Sequence, residues 1–328
     1  MFYKFFIKQL YYLVCKSSIM VGGQAVMEGV MMRVPGYYAT SVRDKSGQIH
    51  THRNAFQPLA ERYNLQHFPI VRGFLHLVDS MKIGFKELEW SANIIDPQDK
   101  PNKIHEALLS VFSIVFTVFL FMGIPYLITE LSLSTQNYFT YNQFNFNIFA
   151  GFLRIIIFLL YLLILSQLKE IKTLFQYHGA EHKAVYNFES GEEINIQKAQ
   201  QFSTKHPRCG TSFVFILMIV TIFTYSIIDS AFVALLSIEL NMFLRILLHL
   251  FCLPIVSGIG YETLKFLAKK QNNIFCRYLT LPGLLLQNIT TQEPDNSQVE
   301  VSIIALNTAF GTKLEKYQGR TFTAEAIG

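Results

Sequence analysis

From Ala107 to Ile128 the chain runs without a single charged residue. Such a run has few places to go, because a hydrocarbon core of about 30 Å takes roughly 20 apolar residues as a helix, and only helices and closed barrels satisfy their own backbone there. A second apolar run, Ile148 to Leu168, is interrupted only by Arg154, which is expected to snorkel toward the interface. A third spans Ser212 to Ile228 and a fourth about Phe243 to Tyr261. The fourth holds Arg245, His249, Pro254, Gly258 and Gly260, so it is expected to bend or to be lined in part by protein. With 51% apolar and only 16% charged residues, the chain does not read as an ordinary soluble domain. The expected fold is mainly α, a polytopic membrane protein with about four transmembrane helices in contact with a lipid bilayer.

Lysine and arginine placement orients the spans. Thr129 to Asn147 has no basic residue, nor has Asp229 to Asn241. Between the second and third spans lie Lys169, Lys172, Lys183, Lys198, Lys205 and Arg208, and after the fourth come Lys265, Lys269, Lys270 and Arg277. The positive-inside rule then puts both termini and the central polar loop on the cytoplasmic side, or the stromal side in a plastid. The net charge of +5 is distributed around span ends, which suits anionic lipid surfaces and argues against nucleic acid. Cys15, Cys209, Cys252 and Cys276 are scattered, so no disulfide framework is expected. Thirty Phe, with many Ile and Asn, fit an AT-rich coding sequence, from an organelle genome or an AT-rich bacterium. The expected location is a plastid membrane or a bacterial inner membrane.

The organisation reads in six stretches. Residues 1–20 form an aromatic interfacial extension without the clean apolar centre of an export signal. Residues 21–100 carry a Gly-rich motif, a hairpin and an interfacial helix. Residues 101–168 hold two spans, 169–211 the central loop, 212–263 two more spans, and 264–328 a polar tail. In Val21 to Arg33, close glycines permit a tight bend; Glu28 or Arg33 either lines a functional cavity or belongs to a packed strand and turn. Alternation from Tyr38 to His52 around Ser46-Gly47 predicts a small β hairpin. Phe74, Leu77, Val78, Met81, Phe85 and Leu88 follow at helical spacing, which predicts an amphipathic helix on the inner interface.

The central loop contains His178-Gly179-Ala180-Glu181-His182. Positions i, i+3 and i+4 share one helical face. The order H-x-x-E-H is the inverted form of the zinc-protease pair, in which two histidines bind metal and the glutamate handles a water's proton. His206 and Cys209, in His206-Pro207-Arg208-Cys209-Gly210, add ligand types of the same kind. Three readings follow. In the first, a metal-dependent membrane hydrolase, His178 and His182 hold a divalent ion, zinc by ligand type, His206 or Cys209 completes the set, and Glu181 is catalytic. In the second, a non-catalytic transporter or assembly factor, the polar fourth span with Arg245 and His249 carries the function. In the third, all four of His178, His182, His206 and Cys209 close a structural site and Glu181 stands outside it. Glu262, at the end of the fourth span, is a third ligand, a proton carrier or a boundary charge. Tail residues Thr290 to Asp295 read as a capped helix start, and Val301 to Phe310 as a helix or strand.

Gly22 to Arg33, Arg72-Gly73, His178 to Lys183, His206 to Phe213 and Gly260-Tyr261-Glu262 together resemble the YqhQ-like family. These are bacterial and plastid membrane proteins with a domain of unknown function, predicted to be metal-dependent enzymes. The resemblance runs from Val21 to Leu306. It marks Glu28, Arg33, Arg72, His178, Glu181, His182, His206, Cys209, Glu262 and Gln287 as matching positions, and it implies a metal-dependent activity for the chain. Phe188 and Leu285 depart from it, standing where a tyrosine and a tryptophan are usual.

Overall fold

The structure is a computed structural model that describes residues 18–19, 21–97, 103–134, 143–206, 209–237, 240–269, 273–317 and 319–324. The interfacial extension expected over residues 1–20 lies almost wholly outside the described residues; its last stretch contributes β1 (Ser18–Ile19), which pairs in parallel with β6 (Thr323–Ala324).

A four-stranded antiparallel meander follows: β2 (Gly22–Val26), β3 (Gly29–Val34), β4 (Tyr37–Arg43) and β5 (Ile49–Ala55), in that order. Its outer pair is the hairpin read from alternation, closed by Asp44, whose carboxylate accepts the Ser46 and Gln48 N–H groups. Those bonds and the Ser46 and His50 side chains hold Asp44 far below the usual carboxylate range. The inner pair escaped the alternation rule for a physical reason. One side of β3 packs Val30, Met32 and Val34 against a helical core, and Met31 packs on the other with Val26 and Ile83, so Gly29-Val30-Met31-Met32 is buried on both sides. A strand covered on two faces shows an apolar run instead of a period of two.

The helices are α1 (Leu59–Arg62), α2 (Pro69–Ile95), α3 (Lys103–Val118), α4 (Ile124–Ser134), α5 (Gln143–Leu165), α6 (Lys169–Ser190), α7 (Ile196–Ala199), α8 (Gly210–Leu236), α9 (Met242–Lys269), α10 (Ile274–Thr290) and α11 (Asn296–Phe310). Four stretches are long and apolar enough to cross a membrane: Ala107–Ser132, Phe144–Leu165, Gly210–Leu236 and Met242–Leu267. They match the four runs read from sequence. The sheet packs on α6 and α11, and α2 packs along α9. All of these polar elements gather at the end of the bundle where the second and fourth spans finish and the third begins. The α2–α9 crossing is close: a Cβ on Gly73 would lie 3.0 Å from the Gly258 carbonyl oxygen, and Arg72 grips Glu262 in a fork of 2.7 and 2.6 Å.

Two polar features of the spans differ from the sequence reading. Arg154 does not snorkel. Between α3 and α4 the first span widens into a π-helical turn, Phe119–Gly123, and Arg154 Nε donates to the Phe121 carbonyl there at 3.2 Å; such turns loosen the regular ladder and make a carbonyl available. Arg245 and His249, read as marks of a broken helix, sit on a continuous α9 that includes Pro254. Both turn to Asp229 of α8, Arg245 at 3.0 Å and His249 at 3.0 Å. Asn147 of α5 donates to the same carboxylate at 2.9 Å and accepts from Arg245 at 3.1 Å. All four side chains are buried, so three spans are tied at one point.

Removing one partner of a buried ion pair leaves the other charge uncompensated, at a cost on the order of 3–5 kcal/mol. Asp229→Leu should therefore lower the thermal unfolding midpoint in detergent steeply, and adding Arg245→Leu should restore most of it. Equal stability of Asp229→Leu and wild type would remove the tie from the account.

Candidate metal centre

Helix α6 stops at Gly191, which takes the left-handed conformation (φ 73°) that glycine adopts without penalty as a helix C-cap. Its last three turns, Tyr177 to Phe188, are buried nearly all round, although they contain His182, Glu181, Lys183 and Asn187. Burying such groups is tolerable only when each finds a partner. Lys183 Nζ donates to the Gln200 and Phe202 carbonyls at 3.0 and 2.8 Å and lies 3.1 Å from Glu293. Asn187 donates to the Glu193 carbonyl at 3.1 Å and accepts the Asn195 N–H at 3.2 Å. Close packing also fixes Gly179, where a Cβ would lie 2.1 Å from the Gln292 carbonyl oxygen.

The two imidazoles are oriented by backbone. His178 Nδ1 donates to the Thr290 carbonyl at 2.8 Å, and His182 Nδ1 donates to the Thr204 carbonyl. Because a carbonyl only accepts, both rings carry their proton on Nδ1 and present the Nε2 lone pair, the arrangement that outer partners impose on metal-binding histidines. His178 Nε2 lies 3.1 Å from Cys209 Sγ. The ligand atoms of His178, His182 and Cys209 all fall within 4.8 Å of one another. Cys209 is the N-cap of α8, its sulfur accepting the Thr211 N–H at 3.4 Å, so the positive end of that helix faces the sulfur. A cleft of about 20 Å³, lined by these three residues with Glu181, His206, Gly22 and Gly23 among others, has room for one water-sized species. Two imidazole nitrogens and a sulfur suit zinc better than magnesium or calcium, which prefer all-oxygen sets. The donor set and its pre-oriented lone pairs fit a divalent transition metal.

Glu181 is buried at the same cleft, with Oε2 3.4 Å from His182 Nε2. Burial pushes its carboxyl up to about 7, against the opposing pull of His178 and of the Gly23 N–H. Strand β2 approaches this closely because residue 23 lacks a side chain: a Cβ there would stand 2.9 Å from Glu181 Cγ and 2.3 Å from the Met31 carbonyl oxygen.

The other residues singled out by sequence scatter around this centre. His206 lines the cleft, but its Nε2 points to Glu189 at 3.7 Å and its ring centroid is 5.5 Å from that of His182. Pro207 and Arg208 lie outside the described residues. Gln287 is fully buried behind the loop: it accepts the His206 N–H at 2.8 Å and donates to the His206 carbonyl at 2.8 Å and to Ser212 Oγ at 2.9 Å. Glu28 is on the β2–β3 turn with φ 49°, beside the Tyr177 hydroxyl, which burial and that carboxylate together push up. Arg72 and Glu262 hold one another. Arg33 lines a second, larger cavity. Sequence reading missed His76, which lines that cavity too, and the carbonyls of Thr204 and Thr290; a backbone oxygen has no side-chain signature to read.

Replacing Gln287 by Leu would strand a buried N–H and a buried carbonyl of His206, at roughly 1–3 kcal/mol for each unsatisfied group. The expected result is a lower unfolding midpoint and faster amide hydrogen exchange at His206 and Cys209, while exchange in β2–β5 stays slow. Unchanged exchange at His206 would show that the amide does not pin this loop.

Residues 68–312 match the family described as proteins of unknown function, DUF1385. The chain is 31% identical over 306 residues to the uncharacterized protein YqhQ of Bacillus subtilis strain 168, across 87% of this chain and 91% of that one. No solved structure matches it. The family match takes in all four spans, the whole of α6 and α11, and His178, Glu181, His182, His206 and Cys209, and the resemblance drawn from the motifs agrees with it: the chain belongs to the DUF1385, YqhQ-like family.

Proposed function

We propose that the chain is a metal-dependent hydrolase of the membrane, with His178, His182 and Cys209 holding a divalent ion, zinc by donor chemistry. The observation that carries this reading is the pair of imidazoles whose Nδ1 protons are taken by the Thr290 and Thr204 carbonyls, in a group with Cys209 whose ligand atoms all lie within 4.8 Å of one another. Three protein ligands are the number typical of catalytic zinc, whereas closed structural sites use four. His206, turned toward Glu189, is what a fourth ligand would have been, so its direction favours the catalytic over the structural alternative.

Bound there, the ion would supply Lewis-acid polarisation of a water and of the scissile group. The protein's own part falls to Glu181, whose carboxylate takes a proton at Oε2 and returns it to the leaving group. Gly22, Gly23 and Val185 complete the narrow lining of the cleft around it. Basic residues around the site-bearing end of the bundle support a cytoplasmic orientation, or a stromal one in a plastid.

Elemental analysis of the purified full chain should find one zinc per molecule. His178→Ala, His182→Ala and Cys209→Ala should each lose it. Glu181→Gln should keep the metal yet slow hydrolysis of ester, phosphoester or peptide probes by about 10²–10⁴-fold. A wild-type chain without stoichiometric metal sinks the proposal, and retained metal with hydrolysis indifferent to Glu181→Gln turns it into the structural reading.

A further inference from the structure

A cavity of about 330 Å³, within the range of small-molecule sites, lies against the metal centre. The two share Gly22, Gly23, Cys209 and Gly210 in their walls. The larger cavity is bounded by β2 and β3, by α2, and by the near ends of α8 and α9. Phe213, Val214 and Leu217 of the third span and Leu264 of the fourth give it apolar lining from the membrane-spanning helices, and Leu77 and Ile83 of α2 add to it.

The same cavity is also lined by Arg33 and His76. The Arg33 guanidinium stacks on Phe56, 4.1 Å from the ring centroid, and among the described residues no carboxylate comes within 4 Å of it. Asp79 and Glu61 act on it only at longer range, and Asp79 already accepts the Leu59 N–H at 2.8 Å. A cation facing an apolar cavity without a close counter-charge is poorly compensated. His76 stacks on Tyr261 at 5.1 Å, and its Nδ1 is buried with no hydrogen-bond partner. Burial and the charge of Arg33 push that imidazole down to about 4, so it is neutral near pH 7 and offers a hydrogen bond without a second positive charge.

We propose that this cavity binds an anionic lipid, with its charged headgroup at Arg33 and His76 and its hydrocarbon chain along Phe213, Val214, Leu217 and Leu264. A phosphate or carboxylate would give Arg33 the forked, charge-assisted partner its geometry suits. A hydrocarbon chain needs no hydrogen bonds from the span residues. A peptide in the same place would bury backbone N–H and C=O groups against walls that offer few partners, which is the reason to favour lipid. The shared wall then makes an anionic lipid the substrate class for the hydrolase; that step rests on the function proposed above, whereas binding of the lipid does not.

Native mass spectrometry of the detergent-purified full chain tests the binding directly, with dioleoyl phosphatidate, oleate and dioleoyl phosphatidylcholine as probes. One phosphatidate or one oleate per chain is expected, bound at least tenfold more tightly than phosphatidylcholine; the two anions distinguish a phosphate from a carboxylate headgroup. Arg33→Gln should weaken the anionic probe by about 10-fold or more, as expected for loss of a charged hydrogen-bonding partner, and Arg33→Lys should restore part of it. Val214→Trp, which narrows the hydrocarbon side, should weaken all three probes, and its unfolding midpoint and zinc content separate a filled cavity from a misfolded chain. Equal binding of anionic and zwitterionic lipids, indifference to Arg33→Gln, or displacement of bound lipid by an apolar peptide overturns the inference. A chain that holds zinc but shows no anionic preference overturns this inference and leaves the metal site standing; one that prefers phosphatidate but holds no zinc does the reverse.

Discussion

The assembly at the near end of the bundle depends on burying a polar helix. From Tyr177 to Phe188, α6 encloses two imidazoles, a carboxylate, an ammonium group and an amide, and none of them can be left without a partner in a water-poor interior. The partners come from elsewhere in the chain. Lys183 draws in the Gln200 and Phe202 carbonyls, His182 the Thr204 carbonyl, and His178 the Thr290 carbonyl at the end of α10. The stretch from Gln200 to Thr204 is thereby held against α6, and the same bonds that satisfy the helix set the tautomers of its histidines. Fold and ligand geometry are one solution to one desolvation problem.

The membrane bundle supports that solution from below. Cys209 caps α8, so its sulfur is only as well placed as the helix beneath it. That helix is held from two directions. At its far end Asp229 binds Arg245, His249 and Asn147, and at its near end α10 crosses it so closely that a Cβ on Gly283 would stand 2.7 Å from Ser212 Cβ. Gln287, one turn further along α10, reaches Ser212 and both backbone groups of His206. One helix therefore carries the Thr290 carbonyl that orients His178 and the amide that fixes the loop leading to Cys209.

Much of this was legible, and the rest was hidden for identifiable reasons. The four spans declare themselves because charge is nearly absent over bilayer lengths. Asp295 ends the stretch read as a capped helix start, and it is the N-cap of α11, in a capping box that Gln298 completes. The histidine motif could be read because helical periodicity alone places i, i+3 and i+4 together. Strand β3 is less plain, since burial on both faces erases its alternation and leaves Val21 to Arg33 between a cavity lining and a packed strand and turn. Arg154 gives no such signal because its partner is a carbonyl in a π-turn, and Arg245 and His249 give none because the apolar run of the third span ends at Ile228, one residue short of their partner Asp229. His76 is one of nine histidines in the chain and sits on a helix whose spacing is fully explained by packing; its place on the cavity lining and its buried, unpartnered Nδ1 distinguish it.

The Gly22-Gly23 pair joins these strands of argument. Both residues line both cavities, so at this point the partition between the metal centre and the larger apolar space is bare backbone. Any side chain at 23 would strike Glu181 and the Met31 carbonyl oxygen, pushing β2 off α6 and thickening that partition. The next residue, Gln24, lines the larger cavity and turns its amide to the Gly84 carbonyl of α2 at 3.4 Å. A sequence that reads first as a tight bend thus has a steric purpose: it lets a strand pass between two cavities and line both. Glycine there is required for thinness more than for conformational freedom, because φ at both positions is ordinary strand geometry.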